Sequence, residues 1–252
     1  MKETVERFSN RAESYARYRP GYPPEILELL ATECGLSPQS VVADVGSGTG
    51  KLSEIFLQFG NTVFAVEPNP SMRKVAESLL GAKSRFKSVD GSAESTGLAS
   101  GSIDFITAGQ AFHWFDLEKT RPEFARVLKP SGWAVIIWNE RRLDSSPFLQ
   151  AYEKFLIEHG TDYQQVRHEN VVAEIDKFFA PQKAMLKIFE NLQEFDFEGL
   201  AGRISSTSYT PEPGTEAFLA MLKSLREVFD KHATAGQVVF EYQTKVYYGR
   251  LH

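Results

Sequence analysis

The chain has 252 residues, 42% hydrophobic and 24% charged, a composition that supports a folded domain with a substantial core. Its 28 Lys+Arg against 33 Asp+Glu leave a formal net charge of -5, which argues against the broad positive surface of a nucleic-acid binder. The longest apolar run, Trp133 to Trp138, is roughly six residues against the about 20 that cross a bilayer, so no membrane span is expected. The single Cys34 closes no internal disulfide, and MKETVERFSN is charged where a signal peptide is apolar; a cytoplasmic protein is expected.

In chain order, Pro23-Pro24 followed by Ile26, Leu27, Leu29 and Leu30 predicts a helix that ends near Gly35. Short Val-, Ile- and Phe-rich runs at Val41 to Val45, Thr62 to Val66, Ser84 to Val89, Ile103 to Thr107 and Trp133 to Trp138 predict strands buried on both faces. Between them, Lys51 to Phe59, Ser71 to Leu80 and Leu117 to Leu128 carry apolar residues at helical spacing, and Pro130-Ser131-Gly132 predicts a stop before the fifth strand. This alternation implies a parallel α/β sheet.

After Glu140 a mostly helical stretch rich in Phe and Tyr is followed by a long strand from Met185 to Phe197. An amphipathic helix from Thr215 to His232 and a last strand from Val238 to Tyr248 complete the chain. No repeat or linker interrupts it, so residues 1–252 are expected to form one domain.

The strongest local signal is Val41-Val42-Ala43-Asp44-Val45-Gly46-Ser47-Gly48-Thr49-Gly50, a buried strand running into three alternate glycines and then a helix. Such a turn lets backbone approach a ligand, and the following helix N-terminus offers free N–H groups. A P-loop is ruled out, because Val45 holds its first glycine position and Leu52 its hydroxyl position. A dinucleotide fingerprint fits poorly, because Lys51 stands at the third glycine and Asp44 would oppose a pyrophosphate. The same carboxylate suits a ligand with an ammonium and a sulfonium and no phosphate, which describes S-adenosylmethionine. Glu67 follows the next strand about 20 residues on, where an acid accepts from ribose hydroxyls in any doubly wound fold.

With Asp44-x-Gly46-x-Gly48-x-Gly50 and the strand-end acid Glu67, the sequence resembles the class I S-adenosylmethionine-dependent methyltransferases. Gly91-Ser92-Ala93-Glu94, Ser102-Ile103-Asp104 and Gly109-Gln110-Ala111-Phe112-His113-Trp114-Phe115 are similar to a small-molecule branch, methyltransferase type 11, that includes trans-aconitate methyltransferase-like proteins. The opening Phe8, Tyr15 and Tyr18-Arg19-Pro20-Gly21-Tyr22-Pro23 extends the resemblance over roughly residues 8 to 140, and the late segment from Phe240 to Arg250 is similar but less diagnostic.

The resemblance implies a Rossmann-like seven-stranded sheet of order 3-2-1-4-5-7-6, the seventh strand antiparallel, with helices on both faces and a helical cap insertion. It divides the single domain into a cofactor-covering segment (1–36), a cofactor-binding core (37–140), a cap with the sixth strand (141–236) and the seventh strand (237–252). It implies cofactor contacts at Asp44, Gly46, Ser47, Gly48, Gly50, Glu67, Pro68 and Gln110. The adenine contact lies among Asp90, Ser92 and Ala93, because serine stands where many members carry an acid. Tyr15 and Arg19 are expected to cover the cofactor, Arg19 facing the methionine carboxylate.

Methyl transfer from a sulfonium is an in-line displacement whose leaving group is already activated, so positioning supplies much of the catalysis. His113, after the fourth strand, is placed either to accept a substrate proton or only to shape the pocket. Trp114 and Phe115 form a substrate wall or plain core, and Arg141 and Arg142 meet a carboxylated substrate or lie solvated at a strand end. His113, His159, His168, His232 and His252 show no metal-ligand spacing, and no nucleophile elbow occurs. The expected function is methyl transfer from S-adenosylmethionine to a small-molecule acceptor, a carboxylate or other oxygen nucleophile. The alternatives are an NAD-dependent oxidoreductase and a non-catalytic S-adenosylmethionine-binding module; no nucleic-acid or membrane partner and no metal is expected.

Overall fold

The computed structural model describes residues 12–161, 163, 171–207 and 209–252; Phe8 and His168 lie outside the described residues. Seven strands form one sheet: β1 (Val41–Val45), β2 (Thr62–Val66), β3 (Phe86–Val89), β4 (Ile103–Gly109), β5 (Leu128–Arg141), β6 (Met185–Phe195) and β7 (Val238–Gly249). Their order is β3-β2-β1-β4-β5-β7-β6. Pairs from β3 to β5 are parallel, and β7 runs antiparallel to both β5 and β6, so strand order and direction are those the family resemblance implies.

The parallel strands lack a polar face because helices cover both sides. On one side Val42, Val63, Phe105, Val135 and Ile137 pack with Ile26 and Leu30 of α2 (Glu25–Cys34) and with Leu52 and Phe56 of α3 (Lys51–Phe59); α1 (Ala12–Tyr18) precedes them. Alternate residues Ala43, Ile106, Ala134 and Ile136 face Phe124 and Val127 of α5 (Leu117–Val127), with Phe178 and Phe179 of α7 (Val171–Phe179). Helix α4 (Pro70–Leu80) sets Ala76 and Leu80 against Ala65 and Phe86. Each such Leu, Ile or Phe contributes roughly 1.5–3 kcal/mol by leaving water.

A second core lies beyond the sheet's parallel half. Phe148, Leu149, Tyr152 and Phe155 of α6 (Pro147–His159) pack with Leu200 and Ile204 of α8 (Phe197–Ser205), with Phe218, Met221 and Leu225 of α9 (Glu216–His232), and with Phe240 and Tyr242 of β7. Among the described residues no helix is long and apolar enough to cross a membrane.

Most boundaries match the sequence reading, and the differences have local causes. Pro130-Ser131-Gly132 does not precede the fifth strand but lies within β5. Leu128 pairs with Ile103 and the next pairing is Trp133 with Phe105, so Lys129 to Gly132 bulge out against Asp104. A bulge tolerates the proline's missing donor, and Lys129 Nζ binds Asp104 at 2.8 Å. The third strand begins at Phe86, after a turn in which the Phe86 N–H donates to the Lys83 carbonyl.

Residues 18–22 are strapped to the sheet and to α8 by polar bonds. The Tyr18 carbonyl accepts from Gln193 Nε2, Arg19 Nη2 donates to the Ser206 carbonyl at 3.0 Å, and the Gly21 carbonyl accepts from Asn139 and Asn191 side chains. Asn139 on β5 also accepts from the Thr244 hydroxyl of β7 at 2.5 Å. Removing its buried amide orphans several of these partners, so Asn139→Ala is expected to destabilise the protein by about 2–3 kcal/mol, read as a lower urea midpoint at unchanged slope. A loss under about 0.5 kcal/mol would mean that water replaces these bonds.

Candidate functional site

A cavity of about 530 Å³ opens at the carboxyl ends of β1 and β4, where the strand order reverses and α/β sheets bind ligands. The glycine turn forms one wall (Asp44, Gly46, Ser47, Gly48, Thr49), and the strap closes over it with Tyr15, Arg19, Pro20 and Tyr22. The far wall comes from the ends of β5 and β7 and from the cap: Asn139, Arg141, Tyr163, Arg203, Tyr209 and Tyr242 among others.

Backbone geometry explains the glycines. Gly46, Gly48 and Gly50 all have positive φ (68°, 56° and 85°), which a Cβ strains. At Gly46 a Cβ would also stand 2.6 Å from that of Ala111, whereas beside Gly48 there is open space.

Asp44, fully buried at the end of β1, accepts from the Ser53 hydroxyl of α3 at 2.6 Å and from the Thr107 hydroxyl of β4 at 3.4 Å. Burial outweighs these bonds and pushes its carboxyl from 3.8 up to about 6. Glu67 receives the Gly48 N–H on one carboxylate oxygen and the Asn69 N–H on the other, at 2.9 and 2.8 Å. Burial raises its carboxyl too, opposed by those two N–H bonds. Next to these acids, Ser47 Oγ and Thr49 Oγ1 are buried with no hydrogen-bond partner among the described residues. Orphaned hydroxyls and a buried acid lining one cavity fit a polar, partly cationic ligand and not a pyrophosphate.

Of the site residues expected from the sequence, Asp44, Gly46, Ser47, Gly48, Gln110, Tyr15, Arg19 and Arg141 all line the cavity. Gln110 has a positive φ of 56°, a costly conformation for a side-chain-bearing residue. Its side chain offsets this by exchanging two hydrogen bonds with the Asn139 backbone. Gly50 starts α3 behind the turn, where a Cβ would meet Leu80 at 2.6 Å.

Glu67, Pro68, Asp90, Ser92 and Ala93 do not line this cavity; they form a second group at the ends of β2 and β3, joined to the turn through the Gly48 to Glu67 bond. Asp90 is exposed and paired with Arg73 at 2.9 Å, Ser92 bonds Ser95 in a tight turn, and Ala93 is buried.

His113 and Trp114 also stand outside the cavity lining. The His113 ring packs 4.4 Å from that of Trp114 and 5.1 Å from that of Trp138, and Trp138 does line the cavity. Phe115 packs against the core beneath α5, edge-on to Phe112 and Phe124. Arg141 Nη2 is held by Glu153 and by the Tyr163 hydroxyl, while its Nη1 is buried with no partner among the described residues. Arg142 pairs with Glu190 on β6. Among the described residues no three His, Cys, Asp or Glu side chains are grouped to hold a metal ion.

Sequence reasoning missed Arg203, Tyr209 and Tyr242 of the cap wall. One signal was available for Arg203: it stands three residues after Leu200 and one before Ile204, a charge on the apolar face of its helix.

Residues 43–136 match the family described as a methyltransferase domain. An uncharacterized methyltransferase of Mycobacterium tuberculosis is 37% identical over 134 residues, 53% of this chain and 52% of that protein; the chain therefore matches about half the length of that relative. An uncharacterized methyltransferase of a Geobacillus species is 32% identical over 166 residues, 61% of this chain and 75% of that one. The fold is shared with a chain from Anaeromyxobacter dehalogenans provisionally assigned as a type II methyltransferase. That structure superposes with a TM-score of 0.68 at 22% identity, over 93% of this chain and 98% of the other.

The state of Asp44 makes stability depend on pH. Its carboxyl is raised on folding, from 3.8 to about 6, so the folded protein holds an extra proton between those values. Stability then falls as pH rises through that window, and the deficit is complete above it. Asp44→Asn keeps an acceptor for Ser53 and is expected to stabilise the ligand-free protein at pH 8 by on the order of 2–3 kcal/mol, with much less effect at pH 4. Urea unfolding at both pH values measures this; an equal effect at the two would reject the buried-charge account.

Proposed function

The chain belongs to the methyltransferase-domain family, and from that premise we propose that it transfers the methyl group of S-adenosylmethionine to a small-molecule acceptor through an oxygen nucleophile such as a carboxylate. The observation that carries this reading is the buried Asp44 carboxylate beside the orphaned Ser47 and Thr49 hydroxyls on one cavity wall. S-adenosylmethionine, when bound, supplies a methyl group already activated on a sulfonium.

The roles of this chain's residues follow from their chemistry. Asp44 offers negative charge to a cationic ligand, and the turn at Gly46, Ser47, Gly48 and Gly50 offers close backbone approach. Glu67, oriented by two backbone N–H groups, is assigned to the ribose hydroxyls. Pro68, Asp90, Ser92 and Ala93 are assigned to the adenine side, and Gln110, Tyr15 and Arg19 to the methionine side. Arg141, which lines the cavity, is assigned to the acceptor, and Trp114, outside the lining, is not. The strap and the cap line much of the rest of the cavity, and the low-dielectric protein around it strengthens each polar contact inside.

Calorimetric titration with S-adenosylhomocysteine and, separately, with NADH tests the cofactor. Saturable binding of the first alone is expected, weakened about 10-fold or more by Asp44→Ala and by Glu67→Ala. Binding of NADH alone would move the protein to the oxidoreductases, and cofactor binding with no transfer across an acceptor panel would make it a binding module.

His113, packed behind Trp138 and outside the cavity lining, is assigned to supporting that wall: His113→Ala is expected to leave S-adenosylhomocysteine affinity unchanged and to lower kcat only a few-fold. A loss of about 100-fold or more would make the ring the general base instead.

A further inference from the structure

The cap wall of the cavity holds charge that the cofactor does not need. Arg203, on α8, is 7% exposed and lines the cavity. Its Nε and Nη1 are buried with no hydrogen-bond partner among the described residues. Arg19 stands close by: burial and then the charge of Arg203 both disfavour its cation, and its Nε also lacks a partner among the described residues. The groups facing the two guanidiniums are phenols, Tyr15, Tyr152, Tyr209 and Tyr242. Tyr242 hydrogen-bonds the Arg203 guanidinium, but among the described residues no carboxylate pairs with it, and a buried cation without a counter-ion is costly.

The other cavity charges are matched. Lys245 pairs with Glu140 and Arg141 with Glu153, and Lys51 lies near Glu54. What remains is Asp44 at the turn against Arg19 and Arg203 at the other wall. S-adenosylmethionine brings a sulfonium, an ammonium and one carboxylate. Asp44 faces its cationic groups, and its single carboxylate matches one guanidinium, leaving the other guanidinium without an anion.

On the reading of this site as a methyltransferase, we propose that Arg203, ringed by Tyr152, Tyr209 and Tyr242, is an anion subsite for a non-reacting acidic group of the methyl acceptor, a carboxylate or a phosphate. The acceptor is then an acid at a position remote from the methylated atom. The guanidinium fork, with Nε and Nη1 free of partners among the described residues, supplies the directed donors that such a group requires.

The test uses protein saturated with S-adenosylhomocysteine, titrated calorimetrically with succinate and with inorganic phosphate. Wild type is expected to bind one of them, and which one identifies the acidic group. Arg203→Met is expected to weaken that binding about 10-fold or more while leaving S-adenosylhomocysteine affinity unchanged, and Arg203→Lys to retain part of it. Without ligand, Arg203→Met is expected to melt about 2–4 °C above wild type, because an uncompensated buried charge is gone.

The proposal is overturned if wild type binds neither anion, if Arg203→Met binds as well as wild type, or if S-adenosylhomocysteine affinity falls in step, which would give Arg203 to the donor's carboxylate. A lower melting temperature for Arg203→Met would make the guanidinium structural and overturn it too. If wild type fails to bind S-adenosylhomocysteine, the methyltransferase reading is what fails, and the same titrations on unliganded protein still decide whether Arg203 holds an anion.

Discussion

The carboxylate of Asp44 spans the point where the sheet changes direction. From β1 the chain winds outward through β2 and β3, then returns to place β4 on the other flank of β1. The carboxyl ends of β1 and β4 are neighbours whose following segments leave in different directions, and a crevice opens between them. Asp44 sits at its base, bonded to Ser53 on the helix leaving β1 and to Thr107 on β4. A buried acid there opposes folding through its desolvation, and the same acid places negative charge at the base of the crevice, which the proposed function uses to hold a cationic ligand. Stability and recognition pull in opposite directions at this one group.

The cavity is electrostatically two-ended. Asp44 stands at the turn, while Arg19 and Arg203 stand toward the strap and cap. Low-dielectric surroundings strengthen these fields, so a ligand carrying both signs of charge is oriented before any specific hydrogen bond forms. The cap owes its precision to its own apolar core, and the strap is tied to that cap and to the sheet by hydrogen bonds from Arg19, Gln193, Asn139 and Asn191. Tyr22 closes the arrangement where Gly109 leaves no room for a Cβ: one would stand 2.4 Å from the phenol oxygen.

Some of the site was legible in the sequence because its signals are local. Asp44, the alternate glycines and Glu67 lie within a strand, a turn and the next strand, and the chemistry of each is set by neighbours a few residues away. The strands from Val41 to Val45 and from Thr62 to Val66 were legible for the same reason: their apolar runs are short and bounded. The fifth strand reads as shorter in the sequence because Pro130 and Gly132 signal a break. Only pairing with β4 shows that the chain bulges there and continues.

Sequence alone determined the alternation of strand and helix, the glycine turn and its acid, because these depend on backbone geometry and on near neighbours. Tertiary structure decided what faces the cavity. Arg203 stands more than 150 residues from Asp44 along the chain, yet both line one cavity; His113, close to the fourth strand in sequence, stands one ring behind that cavity. The far wall is assembled by long-range packing of α6, α8 and β7, and no local pattern records which polar side chains that packing turns inward.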